Sequence, residues 1–107
     1  MATLPEGPLR IERRGDERVL MLDGELDMAD TGTLTEAAGV LVAEPGDLTL
    51  DLHGLTFIDS SGLLALLHVA DAVRGGKLVL SRPTEPVQKV FDMVELAAVS
   101  SRIVIAG

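Results

Sequence analysis

Leu48, Leu50 and Leu52 alternate with Thr49, Asp51 and His53, and apolar side chains at every second position are what a strand with one buried face requires. Gly54 then frees the backbone, and residues 55–58 read as a connecting loop. The run Asp59-Ser60-Ser61-Gly62 supplies residue types that cap a helix start. Behind it Leu63, Leu66, Leu67, Ala70 and Val73 share one face at helical spacing. Residues 48–74 therefore predict a strand, a short loop and a helix, and the rest of the chain is arranged around that unit.

Upstream, Leu9, Ile11 and Arg13 alternate with charged neighbours, Gly15-Asp16 marks a turn, and Val19–Leu22 forms a second run. The pattern predicts an antiparallel hairpin over 9–14 and 18–23. Residues 1–8, with Pro5, Gly7 and Pro8, read as a flexible leader before a domain over 9–107. Leu34, Ala37, Ala38 and Leu41 mark a helical face over 30–43, which Gly32 and Gly39 weaken. Pro45-Gly46 ends that helix and Gly75-Gly76 closes the next. Leu78 and Leu80 predict a strand over 77–81. Thr84, as an N-cap with Pro86 in the first turn, opens a helix that carries Val87, Val90, Phe91 and Val94 to about Glu95. A last strand covers 102–106. Alternating strands and helices of this kind make an α/β domain.

Composition narrows the function. A chain of 107 residues is one domain with enough interior to fold without crosslinks. With no cysteine there is no disulfide framework, thiol nucleophile or thiolate metal site, and the cytoplasm is the expected compartment. No apolar run reaches the roughly 18–20 residues that span a bilayer, so membrane insertion is not expected. A formal net charge of −8 repels a phosphate backbone and argues against nucleic acid. Aromatic residues make up only 2% of the chain, so its two phenylalanines, Phe57 and Phe91, are read as structural anchors.

The chemistry concentrates at the start of the second helix. N–H groups there lack intrahelical acceptors and the dipole is positive, so a serine hydroxyl at that point can take on negative charge, as in phosphorylation. The plainer alternative is a serine that only caps the helix. An enzymatic serine would need a base, and Asp59, His53 and His68 have no diagnostic spacing to Ser60 or Ser61. Two distant histidines make no metal site. Leu64 shares the outward side of the helix with His68 and Asp71, which suits a docking patch as well as an ordinary exposed leucine. Glu25 and Asp27 read as a solvated turn with an N-cap for the helix over 30–43.

Three short motifs resemble the STAS-domain anti-sigma factor antagonists: Asp59-Ser60-Ser61-Gly62, Gly24-Glu25-Leu26-Asp27, and Lys89-Val90-Phe91-Asp92-Met93. They occur in the family's order, and the resemblance spans about residues 9–106. It implies a single α/β STAS-like domain, a mixed sheet of four to five strands with helices mainly on one face. Family members usually continue into a further helix after the last strand; residues 9–107 are expected to lack it, leaving part of one sheet face or edge less covered. The resemblance also implies a non-enzymatic, cofactor-free switch. The unphosphorylated form would bind an anti-sigma factor with serine kinase activity and release a sigma factor. Phosphate on Ser60 would end binding, and a protein phosphatase would restore it. Glu25, Asp27, Asp59, Ser61, Gly62, Leu64 and His68 are the partner-binding positions it implies. The alternative within the same fold is a scaffold or regulatory module of a signalling or transporter assembly.

Overall fold

The computed structural model describes residues 9–107; the leader expected over 1–8 lies outside the described residues. Five strands form one sheet in the order β1 (Arg10–Arg13), β2 (Val19–Leu26), β3 (Leu48–Ile58), β4 (Leu78–Ser81) and β5 (Ile103–Ala106). β1 and β2 make the expected antiparallel hairpin, while β2 to β5 are all parallel. Parallel neighbours need crossovers. These are α1 (Thr31–Val42) between β2 and β3, α2 (Ser60–Ala72) between β3 and β4, and the pair α3 (Glu85–Val94) and α4 (Leu96–Val99) between β4 and β5. The mixed five-stranded α/β sheet is the one expected.

Leu48, Leu50 and Leu52 are wholly buried and form one core with Leu22, Leu78 and Leu80 from the sheet, Leu34 and Leu41 from α1, Leu66 from α2, and Val87 and Phe91 from α3. Each such side chain contributes about 1.5–3 kcal/mol of burial free energy, which is how a nearly non-aromatic chain fills its interior. The opposite face, with Thr49 and Val79 half-buried and Val104 exposed, carries no helix layer among the described residues.

Asp51 is the buried charge on that second face, 3% exposed. Its Oδ2 accepts from Arg82 Nη2 at 2.7 Å and Arg14 Nη2 at 2.5 Å, and its Oδ1 accepts from Arg82 Nε at 3.2 Å and from the His53 backbone N–H at 3.1 Å. The last bond holds the bulge where the β2/β3 register slips between Met21 and Asp23. Burial pushes the Asp51 carboxyl up, but the bonds from Arg82, the His53 N–H and Arg14 together hold it below its ordinary value. Arg82 reaches the carboxylate from a left-handed backbone, φ 53°.

At the C-terminal ends of α1 and α2, arginines satisfy the last carbonyls. Arg18 donates to Leu41 O at 2.7 Å, Gly46 O at 3.0 Å and Asp47 O at 2.8 Å; Arg74 donates to Ala43 O and Arg102 to Val73 O.

Several expectations are corrected. Residues 55–58 are not a loop, because β3 runs on to Ile58. Gly54 continues the strand beside β2, where a Cβ would displace the Asp23 carboxylate and stand 3.2 Å from Leu22 O. Phe91 is core, but Phe57 is 46% exposed. A second irregularity, between Gly24 and Glu25, breaks the alternation so that Thr56 and Phe57 both face outward. Thr84 is the N-cap residue of α3 as expected, its carbonyl accepting from the Gln88 N–H at 2.8 Å, but its side chain makes no cap bond; the hydroxyl donates to Leu55 O at 2.7 Å and ties α3 to β3. After α3 the chain makes one more helical turn, α4, whose Leu96 is buried. Four residues are too few to show a helical period.

Candidate functional site

β3 delivers the chain directly into α2, and the cap at that junction is Asp59. Its carboxylate accepts from the Gly62 N–H at 2.9 Å, its carbonyl from the Leu63 N–H at 3.0 Å, and its own N–H donates to Leu26 O at 3.3 Å. A serine is therefore not needed as the cap. Ser60 is the first helical residue and is exposed, Ser61 is half-buried, and neither hydroxyl is engaged by another described residue.

Leu26 brings the other motif to the same place. It pairs with Ile58, so Asp27 emerges from β2 beside Asp59. Gly62 is buried against this junction: a Cβ there would stand 2.6 Å from Leu26 O and 2.7 Å from the Ile58 side chain. That takes Gly62 off the surface a partner could touch and gives it a packing role, close approach of α2 to β2.

Glu25, opposite Phe57, and Leu26 finish β2, so the segment is not the expected loop. Asp27 does cap, but its carboxylate accepts from the Ala29 N–H at 3.0 Å and caps the 3₁₀ turn Met28–Asp30. The residue before α1 is Asp30, whose side chain makes no cap bond. Burial and the neighbouring Asp27 carboxylate raise Asp30 above its ordinary value, against the opposite pull of the Leu9 backbone.

Leu64 is 53% exposed and His68 is exposed beside it. They line a cavity of about 360 Å³ with Met28, Thr31 and Ser61, so α2 and the turn after β2 share one surface. Met28, 75% exposed, is an apolar contributor that sequence reasoning missed. Another missed signal was available: residues 19–73 hold ten Asp and Glu and no Lys or Arg. The site is an exposed serine at a helix N-terminus, next to the Asp59 cap and to the end of β2 that leads into Asp27, with Met28 and Leu64 exposed on the adjoining surface. Among the described residues no group of His, Asp and Glu is arranged to hold a metal ion, and no helix is long and apolar enough to cross a membrane.

Residues 8–104 match the family model of the STAS domain. The chain belongs to the STAS domain family. Solved structures with this STAS fold include the anti-sigma factor antagonist SpoIIAA in its unphosphorylated form, 21% identical over 92% of this chain and 88% of that one, TM-score 0.68. An anti-sigma factor antagonist from Mycobacterium paratuberculosis is 20% identical over 96% and 90% of the two chains, TM-score 0.72. Likeness at this identity establishes the fold that this STAS domain shares with them. A comparison with curated protein sequences gives no match.

Proposed function

We propose that this STAS domain is an anti-sigma factor antagonist, switched by phosphorylation of Ser60. The observation that carries the reading is the Asp59 cap: with the Gly62 N–H already satisfied, the Ser60 hydroxyl is free and exposed at a positive helix end. Near it, Leu64 and His68 are exposed, and Glu25, Asp27, Asp59 and Ser61 are half-buried. The unphosphorylated surface binds an anti-sigma factor with serine kinase activity. That kinase brings the ATP, and a phosphatase removes the phosphate. The domain switches by binding, in the cytoplasm, and takes no cofactor of its own.

A phosphoserine adds about −1.5 to −2 charge beside carboxylates already present. The fold tolerates it because Ser60 is exposed, whereas a fitted interface would have to desolvate it. The test is capture of the partner from the source cell, followed by phosphorylation with that kinase and ATP and mapping of the label. Label on Ser60 and loss of binding by the phosphorylated form are expected. Ser60→Ala should bind and stay unlabelled. Label chiefly on Ser61, or capture of membrane transport components in place of an anti-sigma factor, would overturn the reading.

A further inference from the structure

The cavity beside Ser61 does not stop at the helix N-terminus. A second, of about 190 Å³, adjoins it, and Thr35 and His68 line both. Together they form a trough between α1 and α2, opening at the Ser60 end between Met28 and Leu64. Gly32 and Gly39 stand on its α1 wall, inside a helix where glycine is a poor former. A Cβ at either would meet nothing within 4 Å, so packing within the domain does not require glycine there. Both substitutions to larger residues would project into open space.

Charge identifies the occupant. α1 and α2 carry Glu36 and Asp71 and no Lys or Arg, and Asp27, Asp30 and Asp59 stand at their N-terminal ends. A second copy bringing the same acidic face would be repelled, as would an anionic membrane. From the apolar floor, the acidic rim and the open glycine wall, we infer that the trough docks an amphipathic helix of a protein partner, apolar on one side and flanked by Arg or Lys. This extends the proposed function and rests on it in one respect, that the Ser60 end faces a partner. The 12 residues of α1 make a bed about 18 Å long, room for about three turns of a docked helix.

The probes are two synthetic helices of about 14 residues, alike in their leucine face, one with arginine flanks and the other with glutamate. They are titrated into the whole domain and followed by backbone amide NMR. The arginine helix should shift Gly32, Gly39, Ala65 and His68 and bind at least about tenfold more tightly than the glutamate twin, and less tightly as salt is added. The variant Gly32→Leu/Gly39→Leu should melt no lower than the parent yet lose that binding by about tenfold or more. Equal binding of the twins, shifts confined to another face, or undiminished binding by the leucine variant would overturn the inference. A concentration-dependent dimer dissolved by the leucine variant would assign the trough to a second copy and overturn it too. Ser60 takes no part in these titrations, so the trough can fail while the phosphorylation switch stands. The switch can likewise fail in its labelling test without touching this one.

Discussion

Gly62→Ala is the most informative small change, because the domain predicts opposite signs for the same chemical substitution at two places. At Gly62 the new methyl would lie 2.6 Å from Leu26 O, 2.7 Å from Ile58 Cγ1 and 2.9 Å from Leu26 Cγ. A strand carbonyl cannot rotate away, so α2 must back off from β2. Overpacking of this kind costs about 1–3 kcal/mol, against a helix-propensity gain of at most about 1 kcal/mol. With the full gain subtracted, the net expected is a loss of up to about 2 kcal/mol, or a melting temperature lower by up to about 16 °C for a domain this size. At Gly39 nothing lies within 4 Å, so Gly39→Ala keeps only the gain, up to about 1 kcal/mol. Urea unfolding of both variants, with melting as a cross-check, measures the difference. A Gly62→Ala domain as stable as Gly39→Ala would refute the close approach of α2 to Leu26, and with it the account of how the two acidic motifs are held together.

Asp51 should give an acid-side stability slope. Its folded carboxyl lies below the ordinary 3.8, so its contribution is present above about pH 4 and lost as pH falls through the folded value. Asp51→Asn should cost about 1–2 kcal/mol at pH 7, little because both guanidiniums are half-exposed, and should flatten the slope between pH 5 and 3 in urea titrations. Asp59→Ala should lose a cap worth about 0.5–2 kcal/mol while Asp59→Asn keeps most of it, read from the unfolding midpoint. If the proposed switch is right, Asp27→Asn should keep its cap on the 3₁₀ turn, hold stability, and weaken anti-sigma binding in a salt-dependent way. Calorimetry at two salt concentrations decides this last case, and unchanged affinity would remove Asp27 from the interface.

The element order was legible because each strand and long helix has a clean period. Leu48–Leu52 reads as a strand in isolation, and Val87, Val90, Phe91 and Val94 as a helix. What escaped was set by contacts between segments. Gly54 looked like a strand end, yet it continues β3 beside β2, with the Asp23 side chain lying over it. Phe57 looked like a structural anchor on residue type, and an extra residue in β3, Thr56, opposite the Gly24–Glu25 step of β2, accompanies its turn outward. Gly62 looked like part of a recognition motif and proved to be a packing residue. The serines and aspartates of the site could be named from sequence, but the assignment of the cap to Asp59 needed the geometry, since Asp, Ser and Ser in succession are all good caps.

The distribution of charge connects the fold to the proposed switch. Arg18, Arg74, Lys77 and Arg102 donate to backbone carbonyls at the ends of α1 and α2 and in the loops beside them. Arg14 and Arg82 are held by Asp51. These six of the nine positive side chains are thereby committed to the end opposite Ser60 and to the face that carries Asp51. The N-terminal ends of the helices keep Asp27, Asp30 and Asp59, where the dipole favours carboxylates. A phosphate arriving at Ser60 would meet carboxylates and a Gly62 N–H already taken, with no cation of α1 or α2 to fold down onto it. Its charge would stay on the surface, available to repel whatever docks there. Had an arginine stood on α2 one turn away, the same phosphate could have been neutralised within the domain and the signal to a partner blunted. Placing Arg at Leu64, which is exposed and one turn from Ser60, should therefore reduce the difference in partner affinity between the two phosphorylation states. Calorimetry on both forms of Leu64→Arg, scored as the ratio of the two affinities, tests this; a ratio as large as the parent's would show that the charge acts by another route.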